Sequence, residues 1–131
     1  MTKAVFFDMN ETLLNLSSLQ GQFDKHFDDK YVLKYWFTKL LHTSTVMGSM
    51  NEYRNFGDLA NEALEELFFE CYKPLTSEVK SEILGQFRKL PAYEDVRPAL
   101  KMLREKDIRV VAVSNASHEM IKEQLTKAGM I

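Results

Sequence analysis

Ala4-Val5-Phe6-Phe7-Asp8-Met9-Asn10-Glu11-Thr12, near the start of the chain, is the stretch whose reading decides the fold, and Ile108-Arg109-Val110-Val111-Ala112-Val113-Ser114-Asn115 is its counterpart far along the sequence. Each is a short apolar run, the second rich in β-branched residues, that stops abruptly at polar side chains. Runs of this kind are predicted to be strands buried on both faces. Ligands of open parallel sheets gather outside the carboxyl ends of the strands, so Asp8 and the Ser114-Asn115 pair occupy privileged positions. An aspartate at a strand end also caps turns, and these residues taken alone leave both readings open. The polar end of the second strand runs into Ser117, at the predicted start of a helix, where a hydroxyl and free backbone N–H groups suit an anion. A carboxylate nucleophile facing such a neutral corner suits displacement through a covalent aspartyl intermediate.

Between the two strands the pattern is helical. Apolar residues recur at three- and four-residue spacing: Leu33, Phe37, Leu40 and Leu41, then Leu59, Ala63, Leu64, Leu67 and Phe68, then Val79, Ile83 and Phe87. Thr76 and Ser77 are N-cap candidates after Pro74, while Gly48 and Gly57 fall where a helix stops or a turn begins. From Asp95 onward, Val96, Ala99, Leu100 and Leu103 mark an amphipathic helix, Lys106-Asp107 a turn, and the second strand follows. A last helix from Ser117 carries Met120, Ile121, Gln124, Leu125 and Ala128 in register, with Gly129 as its C′ residue. Strands alternating with helices predict an α/β fold with a parallel sheet and crossover connections.

The 131 residues suit one hydrophobic core, and 45% hydrophobic with 11% aromatic content excludes a disordered chain. Seventeen Lys plus Arg against nineteen Asp plus Glu give a net charge of −2, which argues against nucleic acid as a partner. Cys71, the single cysteine, has no internal disulfide partner, no apolar run approaches a membrane span, and Asp8 stands where a signal peptide's apolar region would continue, so no signal peptide is expected. A cytoplasmic protein without a membrane partner is expected. His26, His42 and His118 share no metal-ligand spacing. Cys71 is expected to be a packed thiol on a helical face beside Phe68 and Tyr72. Tyr31, Tyr35, Trp36 and Phe37 read first as packing among helices and second as the lining of an apolar pocket. Glu62, Glu65, Glu66 and Glu70 read as a solvated helix face.

Phe6-Phe7-Asp8-Met9-Asn10-Glu11-Thr12-Leu13-Leu14 resembles the first motif of the haloacid dehalogenase superfamily, an apolar strand ending in a nucleophilic Asp with a Thr four residues later. Val111 to Ser117 is similar to its second motif. Leu90 to Leu100 resembles the segment that returns from the cap to the core in the type II branch, the 2-haloacid dehalogenases. Leu33-Lys34-Tyr35-Trp36, with Tyr53, Phe56, Ala63 and Leu64, resembles the cap helices of that branch. The resemblance implies a Rossmann-like core from residues 1–14 and 91–131 and a helical cap from residues 15–90. It implies Asp8 as nucleophile, Thr12 as the group that orients it, and Ser114 and Asn115 as ligands of the substrate's anionic end or leaving group. Asn10 joins these as a substrate-binding residue. Phosphatases of the superfamily carry an Asp at the Asn10 position to protonate an alkoxide. Asn cannot act as an acid, and a halide departs unprotonated.

The activity so implied is hydrolysis of a small anionic 2-haloacid, carbon–halogen cleavage without a metal or cofactor. A magnesium-dependent phosphatase, with Asp8 attacking phosphorus and Mg2+ as cofactor, is the alternative enzyme. An inactive chain that acts only through association is the alternative outside catalysis. The branch usually places an Arg at the start of the first cap helix, where this chain reads Phe27-Asp28-Asp29-Lys30-Tyr31-Val32, leaving Lys30 or Lys34 as substitutes. The family's later Lys and acidic motif would fall after Ile131, so the 131-residue chain is expected to be truncated, inactive by itself and prone to homo-oligomerise.

Overall fold

The computed structural model describes residues 2–131. Strand β1 (Ala4–Phe7) leads through a 3₁₀ turn (Leu16–Leu19) into helices α1 (Gln20–Asp24), α2 (Val32–Ser49), α3 (Phe56–Glu70) and α4 (Ser77–Phe87). Helix α5 (Val96–Glu105), strand β2 (Arg109–Ala112) and helix α6 (His118–Lys127) complete the chain. The two strands form one parallel pair with Ala4 opposite Arg109 and Phe7 opposite Ala112. The crossover between them carries α1 to α5, as a parallel connection requires.

The strands are not buried on both faces. Val5, Phe7, Val110 and Ala112 share one face, and of these Phe7, Val110 and Ala112 pack against the core. On the opposite face Phe6 is 67% exposed. Side chains alternate across a strand, and the elements of this chain cover one side of the pair only.

Helices α2 and α3 supply a large share of the core. Trp36 is completely buried, its ring 5.5 Å from Phe23 and edge-on to Phe87 at 5.3 Å. Its indole Nε1 donates to the Ala60 carbonyl at 3.4 Å. Leu40, Leu64, Ile83 and Leu90 are likewise wholly out of solvent. The acidic face of α3 is paired rather than merely solvated, because α2, α4 and the α2–α3 loop bring a cation to each carboxylate. Lys39 bridges Glu66 and Glu70, Lys80 meets Glu65, and Arg54 forks onto Glu62. The Lys39 ammonium, together with a hydrogen bond from the Tyr35 hydroxyl, holds the Glu70 carboxyl below the usual range. Cys71 is exposed and not packed, because it caps the C-terminus of α3, where the chain turns away from the helix surface. Tyr31 and Tyr35 also face solvent, whereas Trp36 and Phe37 are buried.

Thr76 caps α4 by accepting from Val79 N, and Ser117 caps α6 by accepting from Met120 N. The outgoing and returning chains meet where the helical insertion begins and ends: Asn15 N donates to Pro91 O at 2.8 Å and Tyr93 N to Leu13 O at 3.1 Å. Both crossings of this junction are thereby tied to each other by backbone hydrogen bonds.

Candidate active site

The parallel register brings the carboxyl ends of β1 and β2 level. Val113 N donates to Phe7 O at 2.8 Å, one step beyond the last paired residues, so Asp8 and Ser114 leave the sheet at the same edge. After Asp8 the chain winds around one carbonyl. Met9 O accepts from Thr12 N, Leu13 N and Leu14 N, while the buried Met9 side chain anchors the turn in the core. Closing so tight a turn forces Glu11 into the left-handed region at φ +63°. It returns Thr12 to Asp8, where Oγ1 donates a long hydrogen bond of 3.4 Å to Oδ2. The four-residue spacing of Asp and Thr is the sequence's record of this turn.

Asp8, Asn10, Thr12, Ser114 and Asn115 all line one cavity of about 250 Å³. The structure therefore brings together the five residues to which the family resemblance gave a role, Asp8, Asn10, Thr12, Ser114 and Asn115. The cavity's other wall comes from the helical insertion, with Phe37 and Leu41 of α2 and Phe56 of α3 supplying apolar surface. A polar floor beneath an apolar wall suits a small substrate with one reactive centre. Asn10 is buried, and its Oδ1 finds no hydrogen-bond partner. Ser114 Oγ accepts from Ala116 N at 3.1 Å, which orients the hydroxyl in the turn after β2. Ser117 is outside the cavity, its hydroxyl committed to capping α6.

Lys30 and Lys34, the cations considered for the site, are exposed and do not line the cavity. Both precede the turn of α2 that faces the site. Among the described residues no three His, Cys, Asp or Glu side chains come together as a metal-binding group. His26 instead packs its ring 5.7 Å from Phe68.

Three contributors escaped the sequence reading. Glu11 also lines the cavity, and its carboxylate accepts from Leu16 N and from the Tyr93 hydroxyl, each at 2.8 Å. That hydrogen bond to a carboxylate pushes the Tyr93 phenol up. Nothing in a single sequence marks a left-handed glutamate. Ser44 and Tyr53 touch Asn115 from the helical insertion. Ser44 did leave a signal, as a lone polar residue on the apolar stripe of α2.

A parallel strand pair presenting an aspartate and a serine to one cavity, beneath a helical insertion, is the arrangement of an α/β protein whose ligand site lies outside the carboxyl ends of its strands. The chain belongs to the haloacid dehalogenase-like hydrolase family, whose profile matches residues 2–131. It is 24% identical over 130 residues to (S)-2-haloacid dehalogenase of Pseudomonas sp. (strain YL), covering 98% of this chain and 56% of that protein. It is 25% identical over 134 residues to haloacetate dehalogenase H-2 of Moraxella sp. (strain B), covering 98% and 58%. The fold matches the solved structure of L-2-haloacid dehalogenase from Xanthobacter autotrophicus with chloropropionic acid covalently bound. There the TM-score is 0.87 at 22% identity, over 99% of this chain and 53% of that one. The chain thus spans about half the length of the curated relatives it matches.

Proposed function

We propose that the protein hydrolyses the carbon–halogen bond of a small 2-haloacid through a covalent ester on Asp8, with residues 15–90 serving as a cap over a core of residues 1–14 and 91–131. The observation that carries this reading is the convergence of Asp8, Thr12, Ser114 and Asn115 on one cavity that is walled by Phe37, Leu41 and Phe56. An Asp8 oxygen attacks the halogen-bearing carbon, the C–O bond forms, the carbon–halogen bond breaks, and the halide departs with the bonding pair. Thr12 holds the other carboxylate oxygen through its hydroxyl, which fixes the attack angle. The Ser114 and Asn115 dipoles receive the departing halide. Water then cleaves the ester, regenerating the Asp8 carboxylate and yielding a 2-hydroxy acid and a proton.

Asn10 favours this reading over a magnesium-dependent phosphatase. A phosphomonoester leaves as an alkoxide that needs a proton, and the amide has none to give at neutral pH, whereas a halide needs none. The displacement uses the carboxylate and the polar corner of the cavity and calls on no metal ion.

The test measures chloride released from 2-chloropropionate and phosphate released from a generic phosphomonoester, each with and without magnesium. The protein is expressed from its complete reading frame. Chloride release is expected, independent of magnesium and abolished by Asp8→Ala. Magnesium-dependent phosphate release with no chloride release overturns the reading.

A further inference from the structure

We propose that Ser44 and Tyr53 are positioning residues that hold Asn115 in place to meet the departing halide, an inference that rests on the dehalogenase reading above. The core-facing stripe of α2 runs Leu33, Trp36, Phe37, Leu40 and Ser44, and Ser44 is its one polar member. Burying a hydroxyl is costly unless it is hydrogen-bonded, so an apolar side chain is the default at such a position. The partner that satisfies Ser44 is Asn115, 71 residues away, whose Nδ2 donates to Ser44 Oγ at 3.0 Å. From the loop before α3 the Tyr53 hydroxyl donates to the Asn115 backbone carbonyl at 3.3 Å. Side chain and backbone of Asn115 are therefore each held by a residue of the helical insertion.

The geometry shows what the hold accomplishes. Asn115 forms part of the wall between the site cavity and a second cavity of about 300 Å³, lined in part by Ser44 and Tyr53. An amide carries two N–H donors. Ser44 takes one, which fixes the planar group, and with it the second donor, in a residue that also lines the site cavity. Asn115 follows the end of β2 in a loop and is itself exposed, so without these contacts its side chain is free to change rotamer. A donor already aimed where charge develops costs no reorganisation during the reaction.

The test compares Ser44→Ala, Tyr53→Phe and Asn115→Ala with the parent protein, using 2-chloropropionate and 2-bromopropionate. Ser44→Ala is expected to lower kcat for the chloro substrate by on the order of tenfold, the scale set by a slightly misplaced catalytic group, with KM little changed. Tyr53→Phe is expected to have a smaller effect in the same direction. The loss is expected to shrink for bromide, the better leaving group, and to vanish when Ser44→Ala is made in an Asn115→Ala background. Equal losses with both halides, or the same loss in the Asn115→Ala background, overturn the inference. The Asn115 side-chain amide protons give an independent readout by NMR, with slow solvent exchange expected in the parent and faster exchange in Ser44→Ala. Unchanged exchange overturns the positioning role. Absence of halide release from the parent protein, with the exchange difference intact, instead overturns the dehalogenase reading.

Discussion

At the scale of single residues, Glu11 shows how the site loop is held. A non-glycine residue in the left-handed region costs on the order of 1 kcal/mol, and it persists only where the surroundings compensate. Compensation comes from the carboxylate, which accepts from Leu16 N on the outgoing chain and from the Tyr93 hydroxyl on the returning chain. The Tyr93 phenol is raised above its ordinary value because the carboxylate favours its protonated form. A folded-state pKa above the unfolded one gives stability that is complete below the unfolded value and lost as pH rises through the folded value. Stability is therefore expected to fall above about pH 10, and Glu11→Gln is expected to flatten that part of the profile and lower the Tyr93 pKa. Urea unfolding across alkaline pH, with NMR titration of Tyr93, checks both.

At the scale of elements, four helices end in one way. Asn51, Tyr72, Asp107 and Gly129 each take positive φ just after α2, α3, α5 and α6. In each case the following N–H reaches back to a carbonyl five residues earlier: Glu52 to Met47, Lys73 to Phe68, Ile108 to Leu103 and Met130 to Leu125. These are Schellman motifs, which satisfy carbonyls the helix leaves free. Gly129 was legible as a C′ residue and Lys106-Asp107 as a turn, whereas Tyr72 was not, because glycine advertises the conformation and tyrosine does not. Tyr72 is 97% exposed, so its ring adds almost no packing to offset the strain. Tyr72→Gly is expected to stabilise by up to about 1 kcal/mol, with the greater freedom of glycine in the unfolded chain limiting the gain. Gly129→Ala is expected to destabilise by about 1–2 kcal/mol or more. An added methyl there strains the backbone and meets the Arg97 guanidinium, which donates to Ala128 O. Chemical denaturation of the two variants reads the opposite signs.

At the scale of the whole molecule, the aromatic centre joins helices that are distant in sequence. Trp36 of α2 meets Phe23 of α1 and Phe87 of α4, and Phe87 in turn lies 6.4 Å from Phe56 of α3. Phe56 and Phe37 also line the site cavity, so one packed cluster both stabilises the insertion and shapes the wall above Asp8. Trp36→Ala is expected to cost about 3–5 kcal/mol by cavity formation. Urea unfolding measures the loss, and a cost below about 1 kcal/mol would show that the cluster repacks. Among the described residues no helix is long and apolar enough to cross a membrane.

The two strands, their parallel relation and the residues at their polar ends were determined by the sequence itself, because short β-branched runs and a strand-end Asp–Thr spacing are local signals. The α2 to α4 periodicity was equally local, as was Ser117 before α6. Tertiary structure decided the rest. Exposure of Phe6 depends on which face of the strand pair is covered, and a strand's own residues do not record its neighbours. Placement of Phe37 and Leu41 against the site rather than purely in the core depends on how α2 crosses the ends of the strands. The cations on the α3 carboxylates, the left-handed Glu11 and the link from Ser44 to Asn115 arise between residues far apart in sequence or from a turn closed by others. Such pairings exist only once the chain has packed, since no single residue in them specifies its partner.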